Sequence, residues 1–368
     1  MSLLSPRSHR CFFSHKEAVA GTPDTNCFLE GQGTIIAKPS PELIQESNKG
    51  KLGSGEHGTK REIQAIWTPF SYTAQRFSEV AFLAAYALGG TYTIGGVAPT
   101  YTHDLTLLPV GTRILPTFTM EHGDGTTNDV YAHCIINELT LSISIAGTGV
   151  IECTVSGWMN GYSVTNGVFT KLSTGTMITP TYDIIGGLSE PLIKSRSMKL
   201  FKGTGIDSVT ASTASYTSGN VAGTEVDLST LFSTINMTIN NGISVEELAR
   251  GGGDGILNTQ VRGERTLTLE IGIRKDIALI DMEALGLINT TFSLDLLYQG
   301  TIVPTDTARY AMKWLFPQVQ IEAGYNEDDS SPIMQTWNLD VMQPSYSSVP
   351  LQWMVQSGVA NEYNATFV

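Results

Sequence analysis

Hydrophobic and polar residues alternate with a period of two over much of the chain, which is the pattern of a β-strand with one buried face. The clearest case spans residues 138–158, where Leu, Ile, Cys and Val alternate with Thr, Ser and Glu. The glycine-containing segment 146–149 divides this region in two. The pattern predicts an antiparallel hairpin with one face on a core and the other in water.

A second alternating pair surrounds a strong turn signal. Residues 235–239 alternate, the Asn-Asn-Gly sequence of residues 240–242 follows, and the alternation resumes at residues 267–273 after the Gly-Glu-Arg sequence of residues 263–265. Because Asn-Gly favours tight turns between strands, this order predicts a second antiparallel pair.

Two further strands are predicted at residues 292–297 and 310–321. Pro317 interrupts the second one, and since proline cannot donate a ladder hydrogen bond, it favours a sheet edge or a bulge. Between the strand pairs, residues 203–224 are rich in Gly, Ser and Thr. Such a segment has little apolar surface to bury, so we expect a long surface loop or mobile hairpin inserted into the β-domain.

One helix is strongly indicated at residues 69–88, where apolar side chains recur at spacings of three and four. The residues of this apolar face are Phe77, Val80, Ala81, Ala84 and Leu88. The two glycines at positions 89 and 90 predict the end of the helix. Residues 276–287 are a second, shorter helical candidate.

Residues 1–60 differ in character from the remainder. Prolines and glycines break up regular elements, and the one apolar patch, at residues 28–36, suits a short strand. We therefore expect an extended N-terminal arm of residues 1–60 that lies on a neighbouring subunit, followed by a β-domain of residues 61–368. The sequence has no run of eighteen apolar residues, so no membrane span is predicted. The start of the chain lacks the continuous apolar segment of a secretion signal.

The composition agrees with an ordered β-protein and argues against nucleic-acid binding. Apolar residues make up 41% of the chain and charged residues 15%, with a net charge of −13. Residues 1–76 carry nine basic and seven acidic side chains, whereas the remainder carries thirteen and twenty-eight, or −15. Because binding DNA requires Lys and Arg to neutralise phosphates, an acidic body repels it.

Two glycine-rich motifs and one acidic run have weak claims to chemistry. Residues 53–58 match Gly-x-Gly-x-x-Gly, but the polar sequence before them does not predict the strand that a dinucleotide site requires. Residues 251–255 lack the Lys and Ser or Thr of a phosphate-binding loop. A flexible arm and a loop tip explain these segments better. The Glu-Asp-Asp run of residues 327–329 is better interpreted as a solvated patch than as an acid–base pair.

The strongest metal candidate is the segment of residues 121–134, which gathers metal-capable side chains. These side chains are Glu121, His122, Asp124, Asp129, His133 and Cys134. Their order fits no established ligand spacing, so a solvated turn is the preferred interpretation and a bound cation the alternative.

No other constellation supports catalysis. His9, His15, His57 and His103 lie in predicted arm or loop segments without a nucleophile partner, and no serine lies in Gly-x-Ser-x-Gly. The four cysteines form no Cys-x-x-Cys pair, and Cys153 is expected to be a buried free thiol. We therefore predict no catalytic, cofactor-binding or metal-binding residues, and no enzyme activity.

The second alternating pair carries a resemblance to a known family. The strand INMTINNGI (residues 235–243), then a loop, then RGER (residues 262–265) opening the strand TLTLEIGI, resembles the tail tube proteins of siphophages, the long-tailed bacterial viruses. In that family the order continues with a short helix and closing strands, to which residues 276–287 and 292–297 are similar.

Upstream residues extend the resemblance. Residues 138–157 are similar to the first sheet of that family, and residues 77–88 to the helix before it. The resemblance covers roughly residues 61–325, leaving the N-terminal arm and residues 203–224 as additions.

The resemblance implies a mainly β fold, an antiparallel β-sandwich or barrel with a flanking α-helix. It implies self-assembly into stacked rings, six subunits to a ring, that form the hollow tail tube of a virion assembled in the cytoplasm of the bacterial host. Sheets of neighbouring subunits would join edge to edge, and arms and loops would reach the next ring. Expected partners are further copies, other tail proteins and viral DNA, which would pass an acidic lumen without specific binding; residues 327–329 are candidates to face that lumen.

Three alternatives share parts of this pattern. One is another β-rich virion component, such as a capsid decoration or baseplate protein, and a second is the tube protein of a bacterial injection system. The third is an enzyme or carbohydrate-binding β-sandwich, which predicts a metal or sugar ligand at residues 121–134.

Overall fold

A computed structural model gives the architecture of most of the chain. The residues that it describes are 10–24, 27–31, 33–37, 42–47, 59–65, 67–107, 115–123, 128–145, 149–165, 168–174, 192–207, 209–244, 261–275, 290–304, 306–322, 326–328, 334–343, 349–359 and 363. The structural statements that follow concern these residues.

The described residues form one α-helix, one 3₁₀ turn (Ser195–Ser197) and many strands. The helix is α1, Phe77–Leu88. The strands are β1 Arg10–Lys16, β2 Cys27–Gly31, β3 Thr34–Ala37, β4 Glu42–Ser47, β5 Thr59–Ala65, β6 Trp67–Ala74, β7 Gly89–Val97, β8 Thr100–Leu107, β9 Phe118–Gly123, β10 Asn128–Ser144, β11 Glu152–Asn160, β12 Tyr162–Thr165, β13 Val168–Lys171, β14 Ser173–Thr174, β15 Met198–Gly203, β16 Gly205–Ile206, β17 Val221–Ala222, β18 Val226–Asp227, β19 Phe232–Asn240, β20 Ile243–Ser244, β21 Val261–Arg262, β22 Thr266–Arg274, β23 Phe292–Ile302, β24 Arg309–Ile321, β25 Asn326–Asp328, β26 Met334–Val341 and β27 Gln352–Ser357.

The strands build a large antiparallel sheet with two halves. The β10 half has the order β3-β6-β11-β10-β19-β22-β26. The β24 half has the order β18-β15-β23-β24-β27-β8-β7. The two halves join where the end of β24 pairs with the end of β26. No pairing among the described strands returns from β3 or β7 to the rest, so the sheet is open. The predicted mainly β, antiparallel fold is confirmed, and the barrel form of it is wrong.

The two halves enclose a single hydrophobic core, as in a β-sandwich. Leu139 and Leu141 of the β10 half and Met312 and Trp314 of the β24 half belong to the same buried cluster. The predicted antiparallel pairs are confirmed: β10 with β11, and β19 with β22. In each of these strands the apolar alternation faces the core, because a period of two places every second side chain on one side of the sheet.

Helix α1 lies inside this core instead of flanking it. All twelve of its residues are buried, and it contacts β10 of one half of the sheet and β7 and β8 of the other half. The aromatic ring of Phe82 stacks with that of Phe28 at 5.8 Å between centroids and meets Phe118 edge-on at 5.4 Å. A helix that is apolar all round must be buried all round, and Glu79 is its only charged residue.

The end of the predicted helix is confirmed and its beginning is wrong. Gly89 adopts a left-handed conformation with φ 66°, and its N–H donates to the Ala85 carbonyl, which is a common helix end. The predicted start at residue 69 lies instead within β6, where Phe70, Tyr72 and Ala74 are buried in alternation. The strand pattern of residues 67–74 takes precedence because β6 pairs along its full length with β11. The second helical candidate, residues 276–287, lies outside the described residues.

Pro317 occupies a bulge, as predicted. The register between β23 and β24 shifts by one residue between the pair Phe292–Val319 and the pair Leu294–Phe316. Beyond this irregularity, β24 exchanges its partner β27 for β26. The proline therefore lies where one strand passes from one half of the sandwich to the other.

The N-terminal residues 10–37 differ from the expected extended arm because they pack into the body. Strand β1 pairs with β2 and β9, and β3 pairs with β6. Phe13 and Phe28 are completely buried against the helix. In the sequence, apolar side chains separated by glycines and prolines indicated an extended arm. In the structure, these residues form short strands that complete the core. Strands β4 and β5 form a separate two-stranded ribbon.

A buried carboxylate fixes this N-terminal segment. Glu17 accepts hydrogen bonds from the Gly21 and His133 amides at 2.9 and 2.8 Å and from the Thr117 and Thr119 hydroxyls at 2.7 and 2.8 Å. Burial raises the pKa of Glu17, although each of these bonds opposes that rise. Four donors around one carboxylate tie β1 to β9 and β10.

The Gly/Ser/Thr-rich segment of residues 203–224 is also more ordered than predicted. It folds across the outer face of the β24 half, where Ala211, Tyr216 and Val221 form a second hydrophobic cluster with Leu297, Leu315 and other strand residues. Its backbone carries the short β16–β17 pair. The expectation that this segment buries little is wrong, because these three buried side chains and the partly buried Ile206, Val209 and Ala214 together cover the strands beneath.

Two charged side chains are sealed beneath this covering loop. Lys313 donates to Asp295 at 2.8 Å, and both side chains are wholly buried. Lys313 also donates to the Ser218 carbonyl at 2.8 Å and to the Asn220 side-chain oxygen, while the Asn220 amide donates to Asp295 at 2.5 Å. Burial raises the pKa of Asp295 and lowers that of Lys313, and the pairing of the two opposes both shifts.

In the part of the chain that the structure describes, no helix has the length and apolar character needed to cross a membrane.

Candidate assembly surfaces

The outer face of the β10 half is a continuous polar surface. Successive strands align their polar residues into rows, and the central row consists of Thr73, Thr154, Thr140, Thr238, Thr268 and Asp340. The Thr73 and Thr154 hydroxyls lie 3.1 Å apart, and those of Thr140 and Thr238 lie 3.2 Å apart. Threonine suits a strand because it is β-branched, so a ladder of threonines gives a polar face without charge.

The flanking rows add acidic side chains to this surface. One row consists of Glu152, Ser142, Asn236, Glu270 and Asn338, and the other of Ser71, Ser156, Glu138, Asn240 and Thr266. These three rows contain four acidic residues and no Lys or Arg. At the edge of the surface, partial desolvation and the neighbouring Asp340 carboxylate raise the pKa of Glu322. The electrostatic character of the face is therefore negative.

Strands β3 and β7 are the two ends of the strand order that runs through both halves, and the β24 half has a further end at the two-residue strand β18. Among the described residues, β3 pairs with β6 alone and β7 pairs with β8 alone. The outward N–H and C=O groups of a border strand can pair with a strand of another molecule. Among the described residues, the large hydrophobic side chains that are exposed lie in loops or at a strand end: Val19, Ile145, Leu192, Ile302 and Met342.

The Asn-Asn-Gly and Gly-Glu-Arg sequences meet in a buried hub. Asn241 is fully buried, and its side-chain amide donates to the carbonyls of Ala87, at the end of α1, and Ile136, on β10, at 2.9 and 3.2 Å. Its side-chain oxygen accepts from Arg265 Nε at 2.8 Å. This one side chain thus links the helix, β10 and the residue before β22, and it brings the two sequence motifs into direct contact.

Neighbouring groups hold the turn of this hub. The Asn240 side-chain oxygen accepts from the Gly242 amide at 2.8 Å, and the Gly242 carbonyl accepts from the Gly263 amide at 2.7 Å. Gly242 has φ 61°, and a Cβ there would collide with the carbonyl of Glu264. Asn137 was not singled out from the sequence, although its side-chain oxygen accepts from the Ile243 amide at 2.7 Å. The sequence signal for this role was the position of Asn137, a polar residue within an otherwise apolar stretch of β10.

The predicted metal candidate at residues 121–134 is dispersed by the structure. His122 and Asp129 are opposite each other on β9 and β10, and Asp129 forms an ion pair with Lys171. His133 instead lies in the interior with its ring against Trp67, 4.7 Å between centroids. Among the described residues, no three His, Cys, Asp or Glu side chains are arranged to hold a metal ion; Asp124 lies outside them.

Burial accounts for the other two described candidates of this segment. Glu121 and Cys134 are both buried, and the Cys134 thiol donates to the Tyr131 carbonyl at 3.4 Å. Burial raises the pKa of the Cys134 thiol well above its ordinary value. The described candidates of this segment thus lie on the paired strands β9 and β10, whereas residues 124–127 between these strands lie outside the described residues, so the solvated turn stays a prediction.

The other sequence candidates are scattered. His103 is buried on β8, 3.3 Å from the Ser357 hydroxyl, and burial lowers its pKa to about 4. Cys153 is a buried free thiol, as predicted. Residues 327 and 328 lie on β25. His9, His57, residues 53–58, residues 251–255 and position 329 lie outside the described residues, as does the side chain of His15.

Comparison with known proteins gives one result. No curated protein sequence matches the chain. A family model described as "Phage tail tube protein" matches residues 16–341, which is most of its length. The match begins within β1 and ends at the last residue of β26, so it takes in the polar face, the hub and the buried helix. The chain therefore belongs to the phage tail tube protein family, structural and non-enzymatic components of the virion tail that assemble with copies of themselves.

Proposed function

We propose that this chain forms closed rings of six subunits that stack into a hollow tail tube, through which viral DNA passes without specific binding. The observation that carries the proposal is the pair of border strands, β3 and β7, at opposite ends of one open sheet. Two different edges favour a head-to-tail contact, which closes into a ring when the rotation between subunits allows it.

The polar face of the β10 half is the surface best suited to the lumen. Its three rows present hydroxyl, amide and carboxylate groups and no cation, and the exposed Arg274 lies on the same side of β22, beyond these rows. Because protein–DNA affinity depends on Lys and Arg at the phosphates, such a wall repels the duplex weakly along its whole length. The covering loop of residues 203–224 closes the outer face of the β24 half, and we assign that face to the outside of the tube.

Electron microscopy of the purified chain tests the assembly. We expect stacked rings or tubes in negative stain, with six-fold symmetry in end-on class averages. A single species of monomers or discrete trimers at every protein concentration would contradict the proposal and favour a decoration or baseplate role.

A pair of proline variants tests the role of β7. Adjacent residues of a strand direct their N–H groups to opposite sides, so Thr93→Pro and Ile94→Pro remove one N–H toward β8 and one toward the outside. We expect one variant to lose thermal stability, and the other to keep the wild-type melting temperature but form no tubes. If the stable variant assembles like the wild type, β7 is not a ring contact.

A further inference from the structure

Asn241 precedes a glycine and is therefore chemically prone to deamidation, a reaction that is separate from its structural role in the hub. Asparagine is a thermolabile residue, and it is most reactive before glycine, whose lack of a side chain leaves its nitrogen unhindered. This chain has three Asn-Gly sequences, at Asn160, Asn166 and Asn241. In the reaction, the glycine nitrogen loses its proton to solvent and attacks the asparagine Cγ, a new N–Cγ bond forms, and the Cγ–Nδ2 bond breaks as Nδ2 takes up a proton and leaves as ammonia. Water then opens the cyclic imide to aspartate or isoaspartate.

The native hub restrains both reacting groups at Asn241. The attacking nitrogen belongs to Gly242, whose N–H donates to the Asn240 side-chain oxygen at 2.8 Å. The leaving nitrogen, Nδ2, donates to the carbonyls of Ala87 and Ile136. The Asn241 side chain is also fully buried, which excludes the water that completes the reaction.

We propose that Asn241 is a deamidation site that the native fold holds unreactive, so that conversion there records that a chain has been unfolded. Conversion requires the hub to open, since the side chain must leave two carbonyl acceptors before its Cγ can meet the Gly242 nitrogen. The reaction rate at this residue therefore follows the population of the opened state.

Conversion is also expected to prevent the chain from regaining its native hub. An aspartate at position 241 has no N–H to donate, and one carboxylate oxygen would face the carbonyl oxygens of Ala87 and Ile136. An isoaspartate adds a carbon to the main chain beside Gly242, where even a Cβ has no room. A buried group left without its partner is costly. Chains that stay unfolded for long are thereby removed from the pool able to assemble.

Peptide mapping by mass spectrometry tests the proposal on the wild-type chain. Native and urea-unfolded protein would be held at pH 8 and 37 °C, and deamidation followed at each Asn-Gly sequence. In urea, where local structure is lost, the three sites should convert at comparable rates. In the native protein, conversion at Asn241 should be slower than in urea by at least about tenfold, because the hub must first open. Equal rates at Asn241 in both conditions would overturn the proposal.

Substitution to the product residue tests the second part. Asn241→Asp should lower the melting temperature strongly or prevent folding, whereas Asn338→Asp, at an exposed asparagine of β26 opposite Glu270, should lower it far less because solvent screens the two carboxylates. A variant Asn241→Asp that melts and assembles like the wild type would show that conversion does not disable the chain.

Discussion

At the scale of single residues, the least expected finding is the Lys313–Asp295 pair. The alternation of β24 places Lys313 on the outer side of its strand, where a lysine is ordinarily in contact with water. The covering loop of residues 203–224 then removes both charges from water. Only the fold can reveal such a pair, because the partner and the loop are far away in the sequence.

Replacing Lys313 with Met is expected to destabilise the protein by roughly 3–5 kcal/mol, because it leaves the Asp295 carboxylate buried without a counter-charge. Urea unfolding followed by tryptophan fluorescence measures this. Lys199→Met is the matched control, since Lys199 is only partly buried and donates to the Thr217 carbonyl at 3.2 Å. The double variant Lys313→Met, Asp295→Leu should recover most of the loss; if it is as unstable as the single variant, the buried charge is not the cause.

Two buried histidines make the stability depend on pH. Burial lowers the pKa of His103 and of His133 from 6.5 to about 4. Between these values the unfolded chain binds protons that the native state does not, so this contribution is complete above pH 6.5 and is lost as the pH falls toward 4. Each residue accounts for about 3 kcal/mol at most. The raised pKa of Glu17, Asp104 and Asp295 acts in the opposite direction, since native carboxyl groups then retain protons.

We therefore expect His103→Gln to reduce the loss of unfolding free energy between pH 6.5 and pH 4. Urea titrations of the variant and the wild type at several pH values measure the difference, and the carboxyl contributions cancel between the two proteins. Parallel pH curves for the two proteins would show that His103 is not a source of the dependence.

At the scale of elements, the strands with clean alternation could be predicted from sequence and the enclosed elements could not. The β10–β11 and β19–β22 pairs and the bulge at Pro317 follow from a period of two, turn residues and the missing proline N–H. The predicted start of α1 is wrong because the sequence of residues 69–76 is compatible with a helix and with a strand. Only the pairing of β6 with β11 decides between the two. Residues 10–37 suggested an arm because their apolar runs are short. These runs can be buried only against α1, which is distant in the sequence.

The turn of the hub gives a prediction at this scale. Gly242→Ala should destabilise the protein by more than about 1 kcal/mol, because an alanine is strained at positive φ and its Cβ would collide with the Glu264 carbonyl. Gly205→Ala is the control, since the added Cβ would make an ordinary 3.7 Å contact with Ala222. Thermal melting compares the two variants, and equal melting temperatures would contradict the strain.

At the scale of the whole molecule, the described residues between 10 and 37 are part of the folded body. Removal of residues 1–37 takes away β1, β2 and β3, together with Phe13, Phe28 and the Glu17 carboxylate. We expect the truncated chain to be insoluble or unfolded by circular dichroism, not merely impaired in assembly. Removal of residues 1–9 alone is the control and should leave a folded subunit. A soluble chain lacking residues 1–37 with native β-sheet signal would restore the arm interpretation.

The sequence could predict the negative charge of the polar face but not which strands form that face. An acidic excess outside the first 76 residues indicated a face that repels DNA. Which strands carry it depends on register, since only the pairing of β6, β11, β10, β19, β22 and β26 places their polar residues in common rows. Register between strands distant in sequence is set by long-range packing and cannot be inferred from local patterns.

Because α1 is enclosed by its own subunit, mutations within it should affect folding of the subunit and not the contacts between subunits. A helix covered on every side by its own subunit offers no atom to a neighbouring copy, so alterations within it change how many subunits mature and not how mature subunits fit together. Second-site suppressors that restore a faulty contact between copies should consequently map to border strands and exposed loops, and never to residues 77–88.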